Sequence, residues 1–209
     1  NIRPGTYDDV FHLVDVAGTS ATNTITVKNE SGEVIISPLF GQLASPAPGA
    51  VAGDAMFRLE GTSWVTIDGI KFFDNALNTT TTLKYNMGIL VRNFIVNTTP
   101  LMNKGARNNT IKNVHIDLNA LDGAVNVGAI GIRFGTSGTA STDPLAANSF
   151  NTIQDVVIED FWRSGIQMYG HSGANPDVGN SILGVNGRTQ VKNVNITTGA
   201  SNDIRAIEM

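Results

Sequence analysis

The chain has 209 residues, of which 41% are hydrophobic and only 15% are charged, and its formal net charge is −4. It contains no cysteine, which excludes disulfides and thiolate metal sites. There is no basic stripe for nucleic acid, and no apolar run approaches the roughly 18 residues that a membrane-spanning helix needs. Asn, Thr, Ser and Gly replace the missing charge, and they favour turns and pleated strands over helices.

A short motif recurs along the chain at intervals of roughly 40 residues, which is typical of a solenoid. The four copies, which align without gaps, are residues 65–72, 109–116, 151–158 and 189–196. Their first apolar column holds Ile67, Ile111, Ile153 and Val191, and an earlier relative at residues 24–29 adds Ile25. Such self-similarity predicts stacked coils that bury their apolar side chains against their neighbours.

The apolar spacing inside the motif predicts a bent pair of strands. In the second copy the apolar columns fall at Ile111, Val114 and Ile116, whereas a plain strand would alternate with a period of two. The backbone must therefore bend between the first two columns. Gly, Asn and Asp tolerate the positive φ that such a bend requires. These residue types occupy the bend in all four copies, as Gly69, Asn113, Asp155 and Asn193.

A second repeated element alternates apolar, variable and apolar residues, as a half-buried strand does. It occurs at residues 57–59, 87–91, 131–134, 165–168 and 206–209. Most copies follow the pattern of a small residue, Ile, a variable residue and an apolar one. Each coil is therefore predicted to contain two strands joined by a bend, a connection, a third strand and a longer return.

These patterns resemble the right-handed parallel β-helix proteins of the pectate-lyase-like superfamily. The bend with Asn, Gly or Asp matches the turn between their second and third strands, and the Gly-Ile element matches their first strand. Residues 2–7 and 23–27 resemble the opening coils of such domains in large secreted proteins of Bacteroidota. The resemblance implies an all-β, right-handed, single-stranded parallel β-helix of about five coils in a secreted or cell-surface protein.

We expect residues 1–209 to form a single β-helix domain. Strand-like sequence at the end of the chain, residues 204–209, favours a piece of a longer solenoid. Long excursions rich in Gly, Ser, Thr, Asn and Pro occupy residues 93–108, 135–150 and 170–188. They are expected along one edge, where solenoids commonly place binding surfaces, although simple decoration of that edge explains them equally well.

The resemblance implies that the outward face of the Gly-Ile strands is where β-helix pectinases act. The predicted outward columns on that face are Arg58, Leu90, Arg133, Gln167 and Glu208, and beside them Glu60, Arg92, Gly135 and Tyr169. Glycoside hydrolysis needs two carboxylates about 5–10 Å apart, whereas three coils lie between those of Glu60 and Glu208, at roughly 4.8 Å per coil. No catalytic residue is therefore assigned. The candidate binding residues are Arg58, Arg92, Arg133, Gln167, Tyr169 and Trp162.

Two further groups have a structural and a functional interpretation. Trp162 stands among acidic residues and could stack on a sugar ring, but packing over a coil edge is the simpler expectation. Asp117, Asn119 and Asp122 supply oxygen atoms of the kind that calcium prefers. Their spacing departs from the EF-hand pattern, and a turn rich in Asp and Gly needs no ion. No other cofactor and no transition-metal site is expected.

Two classes of function remain. The first is a non-catalytic module, such as an adhesin, stalk or carbohydrate-contacting segment, which is favoured because the strand face lacks a carboxylate pair. The second is part of a polysaccharide lyase or hydrolase, in which Arg58, Arg92 and Arg133 would neutralise an acidic glycan. A phage tailspike segment or a secretion-system passenger is a further alternative. The expected partners are a surface glycan, further domains of the same polypeptide, or a secretion or outer-membrane complex, without nucleic acid.

Overall fold

The computed structural model describes residues 1–39, 55–79, 85–98, 101–119, 129–135, 143–161, 163–168, 177–184, 189–192 and 205–208. Over these residues the chain winds through three parallel sheets. The predicted all-β parallel β-helix is confirmed.

Each coil places one strand in each of three sheets, which we number in chain order. Sheet 1 contains β1 (Gly5–Tyr7), β4 (Val34–Ile36), β7 (Ile70–Phe73), β12 (His115–Asp117), β15 (Val157–Glu159) and β18 (Gln190–Lys192). Sheet 2 contains β2 (Phe11–Val14), β5 (Ala55–Glu60), β8 (Met87–Arg92), β13 (Ile130–Gly135), β16 (Ser164–Met168) and β19 (Arg205–Glu208). Sheet 3 contains β3 (Ile25–Lys28), β6 (Val65–Asp68), β11 (Thr110–Lys112), β14 (Thr152–Gln154) and β17 (Ser181–Leu183). Five coils are thus complete, and β18 and β19 begin a sixth.

The predicted bend joins sheet 3 to sheet 1. Gly69, Asn113 and Asp155 have φ angles of 71°, 53° and 51°, in the left-handed region that Gly, Asn and Asp tolerate. Adjacent bends are hydrogen-bonded through the main chain, for example from Gly69 N to Lys112 O over 3.2 Å. The extra residue therefore turns the chain while the side chains on either side of it stay in the core.

The fourth copy of the motif lies in a different sheet from the one that the alignment predicts. Val191 pairs with Ile158 in sheet 1, and Ile182 takes the place that was expected for Val191 beside Ile153 in sheet 3. Asn193 is therefore not the equivalent of Gly69, and it lies outside the described residues. Both sheets are built from half-buried strands of the same periodicity, so the apolar pattern alone cannot tell one from the other.

Two related predictions change in consequence. The excursion expected at residues 170–188 contains β17, after which Gly184 stands where Asp155 follows β14. At the other end, Val27 and not Ile25 pairs with Ile67. That shift of two residues leaves the same strand face inward, because side chains alternate with a period of two.

The core lies between the three sheets and consists of stacked apolar columns. One column passes through Ile67, Ile111 and Ile153, each at most 1% exposed, and another through Phe72, Ile116 and Ile158, each 0% exposed. The paired strands place like side chains above one another, so burial accumulates coil by coil. This agrees with the predicted inward ladders.

Glycine is required in sheet 2 because sheet 1 fills the space opposite it. A Cβ on Gly88 would lie 2.6 Å from Ile116 Cγ2, and one on Gly131 would lie 2.4 Å from Ile158 Cγ2. Contacts this short do not occur between real side chains, so the smallest residue lets the two sheets approach. The repeated Gly-Ile element therefore has a packing role.

An asparagine ladder, which the motif analysis did not foresee, links the turns that enter sheet 3. Asn109 Oδ1 accepts a hydrogen bond from Val65 N at 2.8 Å, Asn151 Oδ1 accepts one from Asn109 N at 2.9 Å, and Asn180 Oδ1 accepts one from Asn151 N at 2.9 Å. Buried backbone groups need such partners. The residues that directly precede Val65 and the three asparagines all have a positive φ; they are Trp64, Asn108, Phe150 and Gly179.

One predicted excursion contains regular structure of its own. Within residues 93–108, β9 (Phe94–Thr98) and β10 (Leu101–Lys104) form an antiparallel hairpin that is not part of the three sheets. A short 3-10 helix, Pro144–Ala146, lies in the next coil and is capped by Asp143. Both lie between sheets 2 and 3, on the edge where long connections were expected.

Candidate functional site

The outward face of sheet 2 carries the predicted binding residues in the expected columns. Backbone pairing aligns one column through His12, Arg58, Leu90, Arg133, Gln167 and Glu208. The neighbouring column runs through Val14, Glu60, Arg92 and Gly135. Tyr169, predicted to follow Gly135 in this second column, lies outside the described residues. The placement of the arginines is thus confirmed, and their binding role stays a prediction.

Glu60 binds the two arginines on either side of it. Arg58 Nη2 donates to Glu60 Oε1, and Arg92 Nη2 donates to Glu60 Oε2 over 2.9 Å. The side chains of Arg58, Glu60 and Arg92 are 19%, 6% and 12% exposed, so the three charges are largely removed from water. Such buried groups need their partners, because an isolated charge is costly to bury. The arginines are therefore not free to neutralise a uronate.

Apolar side chains surround the arginines on the same face. Ala55, Met87, Leu90 and Ile130 form a cluster separate from the main core, and all are at most 4% exposed. Gln167 is also fully buried, at 0% exposure. A groove that held a polysaccharide would need polar groups within reach of the ligand. In the middle coils this face is instead buried, whereas His12 and Val14 at its start are exposed.

His12 extends the arginine column by one coil and was missed from the sequence. Burial, and next the positive charge of Arg58, lower the pKa of the His12 imidazole from its usual value. The sequence contains the pattern that predicts this position, because Phe11, His12 and Leu13 repeat the alternation of apolar, variable and apolar residues. This end of the column is therefore less readily protonated than an ordinary histidine.

A small group of acidic residues lies at sheet 1 and not on the predicted face. Asp117 and Glu159 are paired neighbours on adjacent strands, with Asp160 beside them. Burial first, and then the charges of Asp160 and Glu159, raise the pKa of the Asp117 carboxyl. His115 Nε2 lies 3.5 Å from Glu159 Oε2. Asp117 and Glu159 each follow directly after an aligned copy of the motif, so extending the alignment by one residue would have paired them.

The two described residues of the calcium candidate, Asp117 and Asn119, have a structural explanation. Asp117 Oδ1 accepts a hydrogen bond from Asn119 N at 2.9 Å, which closes a local turn. Among the described residues no group of three or more potential ligands is placed to hold a metal ion. Asp122 and Trp162 lie outside those residues, so the full calcium set and the sugar-stacking tryptophan stay predictions.

Comparison with known proteins adds no assignment. No protein-family model, curated protein or solved structure matches this chain. Across the described ranges, no helix is long and apolar enough to cross a membrane. The fold defines the class as a parallel β-helix, and the outer face of its sheet 2 carries a largely buried group of ion pairs.

Proposed function

We propose that this chain is a non-catalytic β-helix module of a secreted or cell-surface protein, serving as an adhesin or stalk segment. The observation that carries the proposal is the ion-paired group Arg58, Glu60 and Arg92. It stands on the face where an enzyme of this architecture would hold its substrate, and its charges are turned toward one another.

The chemistry of that face supports a structural role. Acid–base cleavage of a glycosidic bond needs two carboxylates on either side of the bond. The described part of sheet 2 offers Glu60 as its one buried acid, and both of its oxygens accept from arginines. Both oxygens of the Glu60 carboxylate are thus engaged within the face itself.

The proposed setting rests on the sequence. The bends at Gly69, Asn113 and Asp155, with the Gly-Ile elements, are the features that resemble the pectate-lyase-like superfamily and its secreted members in Bacteroidota. A rod of stacked coils demands little of its outward residues, so it suits a spacer that presents other domains. Further domains of the same polypeptide, or a secretion or outer-membrane complex, are the proposed partners.

The second candidate is a segment that contacts an acidic glycan, alone or as part of a lyase or hydrolase. It is favoured by the convergence of Arg58, Arg92 and Arg133 on adjacent columns, where Glu60 is the acid on the coils that carry these three cations. Arginine pairs well with carboxylates through its planar fork of donors. In this case the glycan would have to compete with Glu60 for the arginines.

Incubation of the purified chain with uronate polymers and neutral glycans, followed by product analysis and a glycan-binding array, separates the two candidates. We expect no turnover and no binding that depends on the arginine face. Arg133→Ala and Arg92→Ala are the test variants, and Arg3→Ala, at an exposed position remote from sheet 2, is the matched loss of one charge. Turnover that disappears in Arg133→Ala but persists in Arg3→Ala would replace the proposal with the enzymatic candidate.

A further inference from the structure

A second column of side chains runs beside the asparagine ladder and ends on an acid. Asn148 Oδ1 accepts a hydrogen bond from Ala106 N at 3.0 Å, and Asn148 Nδ2 donates to Gly135 O at 2.9 Å. One coil further on, Asp177 Oδ1 accepts from Asn148 N at 2.8 Å. Asp177 therefore accepts a main-chain hydrogen bond as Asn148 does. An ionised carboxylate has no hydrogen, so it cannot also donate one as the Asn148 amide does.

The second oxygen of Asp177 is in an unfavourable place. Asp177 Oδ2 is buried and has no hydrogen-bond partner among the described residues. The amide nitrogens at comparable ladder positions all donate to main-chain carbonyls, as Asn151 does to Ala106 and Asn180 does to Asn148. A buried polar atom without a partner is costly, and more so when it carries charge.

We propose that Asp177 is a pH-sensitive latch, whose neutral carboxylic acid closes the turn before β17 and whose ionised carboxylate loosens it. The neutral form carries no charge, so its burial costs much less than the burial of the carboxylate. The loosened segment would be the turn at residues 177–180, which holds β17 against β14 through Asn180 and through the bond from Ser181 N to Asn151 O.

The electrostatics agree with this geometry. Burial raises the pKa of the Asp177 carboxyl to about 6, and the main-chain and side-chain amides of Asn148 oppose that rise only in part. The ionisable groups on the neighbouring elements are already engaged. Arg107 donates to Pro144 O, Asp143 accepts from Leu145 N, and Lys104 pairs with Asp15. Desolvation, and not a neighbouring charge, therefore sets the protonation of Asp177.

The sign of the pH dependence follows from the raised pKa. A group whose pKa is higher in the folded than in the unfolded state stabilises the fold fully below the unfolded value, and that stabilisation is lost as pH rises through the folded value. For Asp177 the window runs from the ordinary pKa of an aspartate, 3.8, to about 6. The latch is thus closed in mildly acidic solution and open at neutral pH.

Hydrogen exchange tests the latch locally. The reporters are the amides of Phe150 and Ser181, which donate to Val178 O and Asn151 O across this turn. In Asp177→Asn, which cannot ionise, we expect protection about tenfold above the natural chain near pH 7.5 and within about twofold near pH 4. The factor at high pH is discounted from the full shift because the carboxyl is partly exposed.

Asp143→Asn is the matched control, since it removes a half-buried carboxyl that caps the 3-10 helix on a neighbouring turn. Its difference from the natural chain should not change with pH at these two amides. The proposal is overturned if Asp177→Asn differs from the natural chain equally at both pH values, or if Asp143→Asn reproduces its pH dependence. A carboxyl titration of Asp177 by NMR with a midpoint near 4 would also overturn it.

Discussion

At several positions of this chain, the surrounding space and charge determine which residue type fits. Gly131 and Gly135 lie in the same strand, β13, and show the difference. A Cβ on Gly131 would lie 2.4 Å from Ile158 Cγ2 and 2.5 Å from Gly165 O, whereas one on Gly135 would meet nothing nearer than 3.6 Å. Neither residue has the positive φ that would by itself demand glycine. Packing alone therefore separates them.

Gly131→Ala should destabilise the protein by about 1–3 kcal/mol, because the added methyl group forces sheet 1 and sheet 2 apart. Gly135→Ala in the same strand should change stability by less than about 0.5 kcal/mol, as substitutions free of clashes do. Urea denaturation followed by circular dichroism measures both. Equal losses in the two variants would show that the inward position of Gly131 is not the cause.

The charge on Glu60 is predicted to hold the outer face of sheet 2 together. Glu60→Gln leaves two largely buried arginines without their counter-charge, and we expect a loss of about 2–3 kcal/mol, below the full cost for a deeply buried pair. Glu33→Gln removes the partner of Lys71 at a pair that is 54% and 36% exposed, and should cost less than about 0.5 kcal/mol. Thermal unfolding of both variants at one pH tests the difference.

At the scale of elements, the turns before sheet 3 are fixed by side chains and not by turn type. Their bulky residues Trp64 and Phe150 have φ angles of 60° and 59°, which are rare for such side chains. The strain persists because the asparagine ladder binds the main chain on both sides. Asn109 and Asn151 are 1% and 2% exposed, so water cannot substitute for their hydrogen bonds.

Removal of one ladder amide should therefore be expensive. Asn151→Ala leaves Asn109 N and Ala106 O buried without partners, and we expect a loss of about 2–4 kcal/mol. Asn23→Ala removes an exposed hydrogen bond to Gly18 O and should cost less than about 1 kcal/mol. The free energy of unfolding in urea is the measurement. A loss in Asn151→Ala no larger than in Asn23→Ala would contradict the role given to the ladder.

At the scale of the whole molecule, stability should be divided among coils that contact mainly their neighbours. Sheets 1 and 2 contain six strands each, and each interior strand pairs with the strand before and the strand after it. The stability of such a solenoid is approximately a sum of terms for each coil and each interface. The unit that can be removed is therefore one full repeat, from one bend to the next.

Deletion of residues 113–154 joins Lys112 to Asp155, so that one bend replaces another. We expect this shortened chain to fold into a β-helix of lower stability, since β15 can then stack on β7 through the same inward column. Deletion of residues 113–133 breaks the order of the three sheets and should prevent folding. Circular dichroism and resistance to proteolysis distinguish the two products. A soluble, protease-resistant product from the second deletion would refute division by coils.

The sequence by itself determined the coil and its inward columns. Apolar spacing at Ile111, Val114 and Ile116 and the bend residues Gly69, Asn113 and Asp155 are local features, so they predict local geometry. They also placed Arg58, Arg92 and Arg133 on one strand face, because alternation fixes which side chains point outward. Backbone bends and the alternation of side chains depend on neighbouring residues in the sequence, so the sequence predicts them.

Only the tertiary structure determined which residues of neighbouring coils bind or pair with one another. Glu60 binds Arg92 from the next coil, Asn151 binds Asn109 from the coil before, and Val191 joins sheet 1 instead of sheet 3. Each of these contacts joins residues a coil apart, and the connections between them vary in length. The pattern of apolar residues is the same for both assignments of Val191, so only the stacking of complete coils could choose between them.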